Sequence, residues 1–246
     1  MKHITTRRTI RKYEQREVDS QLLDRLLAEA MRTQTMGNMQ LYSVVVTRSP
    51  ELKHRLAPAH FHQPMVESAP VVLTFCADFH RATTWALQRG AQPGYANLLS
   101  FLNAATDALL YCQTFCNLAE EEGLGCCFLG TTVYQPMAIV EALQLPQLVM
   151  PVATITLGWP AEEPPLTDRL PLEAIAHDEV YHDYSAADID RAYLAKEQLA
   201  ENKAFVEQNK VPTLAHVFTD CRYTKKDNEL MSAGMMEALR QQGFIE

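Results

Sequence analysis

Residues 97–121 read Asn-Leu-Leu-Ser-Phe-Leu-Asn-Ala-Ala-Thr-Asp-Ala-Leu-Leu-Tyr-Cys-Gln-Thr-Phe-Cys-Asn-Leu-Ala-Glu-Glu, and Asp107 is the single charge before Glu120. Leu98, Leu99, Phe101, Leu102, Ala105, Ala108, Leu109, Leu110, Cys112, Phe115, Cys116 and Leu118 take up every face of a 3.6-residue repeat. A helix that is apolar all round is covered all round, either by a domain centre or by a second subunit. At roughly 37 Å for about 25 residues it is longer than one small core needs, which favours the subunit interface. Glu120, Glu121 and Glu122 oppose the dipole at the helix end, so Gly123 is the residue expected to close it. Cys112 and Cys116 lie one turn apart on one face and read as core packing.

Outward from this helix the chain alternates. Val71–Ala77 and Met150–Leu157 are near-continuous apolar runs, the mark of strands buried on both faces. Leu41–Thr47 is rich in β-formers, and Gly125-Cys-Cys-Phe-Leu-Gly-Thr-Thr132 reads as a strand followed by a glycine turn. Residues 17–31, 50–56, 80–88 and 136–143 read as helices, with Asp19 or Ser20 as cap of the first. Helices clustered around such strands indicate an α+β sandwich, with helices on both faces of a mixed or mostly antiparallel sheet. From Ser185 onward the sequence is charged and helix-favouring, so residues 1–184 form the expected core and 185–246 a helical extension. No internal repeat or low-complexity tract appears.

The 246 residues hold 22 Lys+Arg against 30 Asp+Glu. A net charge of -8 argues against broad binding to nucleic acid or an anionic membrane. No stretch of 18 charge-free apolar residues and no leader-like opening is present, so a cytoplasmic protein without a membrane span is expected. Four of the six cysteines sit in strongly apolar runs, as small hydrophobes do in a reducing compartment.

Against that acidic background, Arg7-Arg-Thr-Ile-Arg-Lys-Tyr13 places four cations and a hydroxyl within six residues. Arginine forks match a phosphate face, while Ile10 and Tyr13, three apart, can pin the segment to a core. The alternative is a solvated basic turn. Residues 32–40 form a polar loop in which Thr33, Gln34, Thr35 and Asn38 could bond a polar ligand or simply water. His60 and His62 lack a third metal ligand of fitting spacing, so no metal site is expected. Gly130, followed by two hydroxyls, could bring backbone N–H groups close to a planar ligand or a phosphate. The chain has no GxGxxG, GxxxxGK[ST], HExxH, CxxC or Gly-x-Ser-x-Gly pattern. A basic cluster without a nucleophile or catalytic dyad fits an enzyme whose cofactor carries the chemistry, and no catalytic side chain is assigned.

Four stretches in this order resemble the flavin-dependent nitroreductase family, in particular its oxygen-insensitive, NADPH-preferring nitro and flavin reductases with a C-terminal extension. Arg7-Arg8-Thr9-Ile10-Arg11 is similar to the opening motif that grips the FMN phosphate and the flavin's polar edge. Gln63, shortly before Ala69-Pro70-Val71-Val72, is similar to the amide that bonds the flavin or its ribityl chain. Gly123-Leu124-Gly125 leading to Phe128-Leu129-Gly130-Thr131 is similar to the segment whose backbone approaches flavin N5. Leu157-Gly158-Trp159-Pro160 and Arg169 are similar to the closing motif, Arg169 being a second phosphate cation. Three departures stand out: Thr33-Gln34-Thr35-Met36 replaces a serine-rich loop, in which Thr35 supplies one hydroxyl; Thr131 replaces a second glycine; and Thr167 replaces a lysine.

The resemblance implies a nitroreductase-like three-layer sandwich, an intertwined homodimer with FMN at its interface, and NAD(P)H as co-substrate. Arg11 and Gln63 would contact FMN, Arg7, Arg8 and Arg169 would hold its phosphate, and Lys210 or Arg222 would read an NADPH phosphate. Hydride would pass from NAD(P)H through flavin N5 to a small aromatic acceptor, a nitroaromatic or quinone, or to free flavin. The alternative is a flavin-binding or sensing protein of the same fold without turnover.

Overall fold

The computed structural model describes residues 2–246, and its backbone divides into two compact units, Met1–Pro165 with Met231–Glu246, and Leu166–Leu230. The expected boundary at 184/185 thus falls inside the second unit.

In the first unit, α1 (Ser20–Ala30) begins where the Asp19 carboxylate accepts the N–H of Leu22 at 3.0 Å, and it buries Leu23, Leu26 and Ala30. Next come β1 (Tyr42–Thr47), α2 (Pro50–Leu56), α3 (Pro64–Ser68), β2 (Val71–Asp78) and α4 (His80–Gln88). Then follow α5 (Leu98–Glu121), β3 (Gly125–Leu129), α6 (Pro136–Leu143) and β4 (Val149–Gly158). The strands form one sheet in the order β1-β2-β4-β3. All three pairings are antiparallel, at the antiparallel end of the expected range. Every residue of β2 and β4 is buried. The pairing slips between Phe75 and Cys76, opposite Ala153 and Pro151; proline has no N–H to give the ladder, and sheets accommodate it at bulges.

Two apolar cores cover the two faces of this sheet. On one, α5 and α1 pack over Val71, Leu73, Phe75, Ala77, Ile155 and Leu157. On the other, α2, α3 and α6 pack with Ile10 and Tyr13 against Val72, Cys127 and Leu129. Strand residues alternate between the faces with period two, which gives the three layers.

The long helix is less symmetrically buried than its composition implies. Phe101, Ala104, Ala108, Tyr111, Cys112, Phe115, Cys116 and Ala119 face the sheet. Leu98, Leu99, Leu102, Leu109 and Leu110 are 41–68% exposed. It ends as anticipated: Gly123 has φ +83°, its N–H bonds Glu120 O at 3.1 Å and the Leu124 N–H bonds Ala119 O at 3.0 Å, a Schellman closure.

The second unit contains α7 (Ala186–Gln198), α8 (Ala200–Asn209) and the short α9 (Leu214–His216), which runs into a π-turn over Val217–Arg222. Ser185 and Asp188 close a capping box on α7, and Lys196 pairs with Asp168 at 2.9 Å. The last helix, α10 (Lys225–Gln241), does not stay with the extension. Ala238, Leu239 and the following Phe244 join the first unit's main core, where Phe244 meets Phe101 edge-on at 5.4 Å. Of the residues of α10 only Ala238 and Leu239, near its end, are buried.

Candidate functional site

The basic segment is anchored by its two apolar residues. Ile10 and Tyr13 are 7% and 8% exposed, and burying two such side chains stabilises the anchor by about 1.5–3 kcal/mol each. The Tyr13 hydroxyl lies 2.7 Å from Thr156 Oγ1 and 2.8 Å from Ile10 O. Burial pushes its phenol up, so it stays protonated. The Ile10 N–H donates to Cys126 O at 3.1 Å, which lays the segment along the outer edge of β3. Gly125 makes this approach feasible, because a Cβ there would sit 2.6 Å from Ile10 Cγ1.

Arg7 and Arg8 line a cleft of about 350 Å³ together with Glu120, Gly123, Glu162 and Glu163. Arg7 Nε is 3.1 Å from a Glu120 carboxylate oxygen, and the Glu120 side chain is only 10% exposed. The contact is an ion pair whose geometry falls short of a hydrogen bond. Burial pushes the Glu120 carboxyl up to about 7, partly offset by Arg7. Arg8 Nε donates to Pro164 O at 2.7 Å, and its Nη2 is 3.5 Å from Glu163, which is 83% exposed. The backbone N–H groups of Arg11 and Lys12 converge on one Glu162 oxygen at 2.7 and 3.0 Å. This carboxylate already occupies an anion-binding nest.

The far end of β3 carries a second polar group. Gln63 stands at the N-cap position of α3 without a capping bond from its side chain, and its Nε2 lies 3.4 Å from Thr131 Oγ1. His60 is fully buried, and its Nδ1 is 2.8 Å from the same hydroxyl. Phe61 and His62 between them have φ +52° each, a left-handed pair that turns the chain from His60 back to Gln63. Phe128 is half exposed, and a Cβ on Gly130 would meet open space.

The candidates thus group unevenly. Arg7, Arg8 and Arg11 lie at the start of β3, and Gln63, Gly130 and Thr131 at its end, with Phe128 between them. Thr9 is half buried beside the arginines. The Leu129 side chain is 1% exposed in the second core, so only its backbone is available to a ligand, which is the part the resemblance assigns. Thr35 makes no hydrogen bond to another candidate among the described residues. Its loop is fastened elsewhere, by the buried Asp107 carboxylate accepting the N–H groups of Met36 and Leu41 at 2.8 and 3.2 Å. Arg169, in the second unit, bonds Thr167 Oγ1 and Asp168 O, each at 2.8 Å. Also in that unit, the Arg222 guanidinium stacks over Phe205 at 4.3 Å, and Lys210 closes α8 with φ +54°. Glu120, Glu162 and His60 escape a reading by motif. Glu120 lies one helical turn beyond Cys116, on the buried face, which is the one signal that separates it from Glu121 and Glu122.

Residues 4–159 match the model of the nitroreductase family. An FMN reductase (NAD(P)H) of Bacillus subtilis is 33% identical over 184 residues, 74% of each chain. An oxygen-insensitive NADPH nitroreductase of Salmonella typhimurium is 32% identical over 196 residues, 79% of this chain and 78% of that one. The crystal structure of a Bacteroides fragilis protein superposes with a TM-score of 0.99 at 59% identity, over 100% of both chains.

Proposed function

The chain belongs to the nitroreductase family, and from that premise we propose that it is an FMN-dependent oxidoreductase, with NAD(P)H as donor and a nitroaromatic, quinone or free flavin as acceptor. The observation that supports the FMN site is the polar layout of β3. Guanidinium groups lie at its start and an amide–hydroxyl pair at its end, about 13 Å apart at the rise of a strand, with open space at Gly130. An elongated ligand with an anionic tail and a heteroaromatic head suits that donor set.

Bound FMN supplies the hydride and electron transfer that no side chain here can perform. Arg8 is the cation best placed to meet the phosphate, since Glu163 is solvated, 3.5 Å away and readily displaced. Arg7 is committed to the buried Glu120, so its part is to stiffen the cleft and supply a longer-range charge. Arg169 is the second phosphate cation in this reading, and Thr9 a short-range hydroxyl donor. Arg11, whose guanidinium reaches the Cys127 side of β3, and Gln63 provide donors for the flavin's polar edge, where they favour negative charge on a reduced ring. The backbone of Phe128, Leu129, Gly130 and Thr131 lines the ring. Thr35 is a further hydroxyl donor to FMN in this reading, and Lys210 or Arg222 contacts the nucleotide phosphate.

The functional unit in this proposal is a homodimer with FMN at the interface. It is supported by the exposed leucine stripe of α5, an apolar face that a single chain leaves in water. No helix among the described residues is long and apolar enough to cross a membrane, and all six cysteines are free thiols, as suits a cytoplasmic setting. Purified protein showing flavin absorbance and oxidising NAD(P)H with a quinone or nitro acceptor supports this reading. Flavin uptake without NAD(P)H oxidation would leave the binding or sensing protein instead, and colourless protein that takes up no added FMN overturns both.

A further inference from the structure

His60 has a place at this site that none of the family-like stretches includes. Its ring is buried without exposure, Nδ1 lies 2.8 Å from Thr131 Oγ1, and Nε2 is buried with no hydrogen-bond partner. Burial pushes the imidazole down to about 4, so the ring is neutral and carries one N–H. Were that proton on Nε2, a buried donor would be left unmade, a rarer situation in proteins than an unused acceptor. The proton therefore belongs on Nδ1, and the Thr131 hydroxyl accepts it. Gln63 Nε2 approaches the same oxygen from the side-chain amide at 3.4 Å. With two donors aimed at its oxygen, the hydroxyl has its own proton left, and no acceptor for it exists among the described residues.

We propose that His60 is a positioning residue: by donating to Thr131 Oγ1 it turns the threonine hydroxyl into an outward-facing donor for an acceptor atom of the flavin ring. This deepens the FMN reading above and rests on it. A bond that stabilises negative charge on the reduced ring raises the potential of the bound flavin.

The test compares the wild type with T131V, T131S, H60L, H60N and the H60L/T131V double variant, each titrated with FMN and poised for the midpoint potential of the bound flavin. Asparagine places an amide N–H near the former Nδ1, and serine keeps the hydroxyl. We expect T131V and H60L to weaken FMN binding by about fivefold to tenfold, the worth of one hydrogen bond, and to lower the potential. The double variant should be no weaker than either single one, and H60N and T131S should stay near wild type. In apo protein, 15N spectra should show the His60 proton on Nδ1. An Nε2 proton, or a T131V protein with wild-type affinity and potential, overturns this role alone; because valine is isosteric with threonine, that arm survives even where H60L fails to fold. A wild type that takes up no FMN overturns the flavin reading and this role with it.

Discussion

A Cβ placed on Gly125 would stand 2.6 Å from Ile10 Cγ1 and 2.7 Å from Ile10 Cβ. The two residues therefore set how closely the basic segment lies to the sheet. Ile10 is held by its own bond to Cys126 and by the core around Tyr13, so it has little room to yield. G125A is expected to destabilise the protein by about 1–3 kcal/mol, the usual range for overpacking, and to reduce FMN content by displacing Arg7–Arg11. Urea unfolding with FMN quantitation reads both, and a wild-type transition midpoint would contradict the close fit.

Arg8 and Arg169 should dominate retention of the phosphate. R8A and R169A are each expected to lose about tenfold to a hundredfold in FMN affinity, the worth of one charge-assisted contact. R8K should recover only part of it, because lysine cannot reproduce the Nε bond to Pro164 O. Equilibrium titration of apo protein measures the series; unchanged affinity in both alanine variants would remove these residues from the site.

Glu120 makes stability depend on pH in a definite direction. Burial holds its folded-state carboxyl near 7, whereas an unfolded chain releases that proton near 4.5. The folded form binds the extra proton between these values. Its contribution is fully present below 4.5 and is lost as pH rises through 7. E120Q, neutral throughout, should show a flatter melting temperature between pH 5 and 8 than wild type. Parallel curves for the two proteins would show that this carboxyl does not titrate there.

The leucine stripe of α5 predicts the assembly. Leu99 and Leu102 are 68% and 52% exposed, so L99E/L102E leaves the single chain's cores untouched. The variant is expected to sediment as a monomer with unchanged circular dichroism and weakened FMN retention. A dimer of wild-type stability in sedimentation would place the subunit contact elsewhere.

The layered fold was legible because its signals are local. β2 and β4 are continuous apolar runs, and both strands are buried along their whole length. Gly123 follows a long apolar helix and closes it. The basic segment was legible too, with Ile10 and Tyr13 spaced to anchor it. What the sequence hides are pairings set by tertiary approach. Glu162 reaches the Arg11 and Lys12 N–H groups across some 150 residues, and His60 reaches Thr131 across 71. No spacing rule connects such residues. The return of α10 was obscured because the four charges at its start, Lys225, Lys226, Asp227 and Glu229, give it the look of a solvated helix, while the residues it buries lie near its end. Leu129 shows a further limit: a motif marks the segment next to a ligand, but strand alternation decides which side chains turn away.

The bond between Ile10 and Cys126 also bears on self-association. β3 lies at the margin of the sheet, and a bare margin is a template on which another chain can add a strand. The opening segment occupies part of that margin and crowds it with arginines. Removing residues 2–13 would therefore do more than delete phosphate contacts: it would uncover a sticky ribbon of unpaired peptide groups, and the shortened protein should precipitate under conditions in which the full chain stays dispersed.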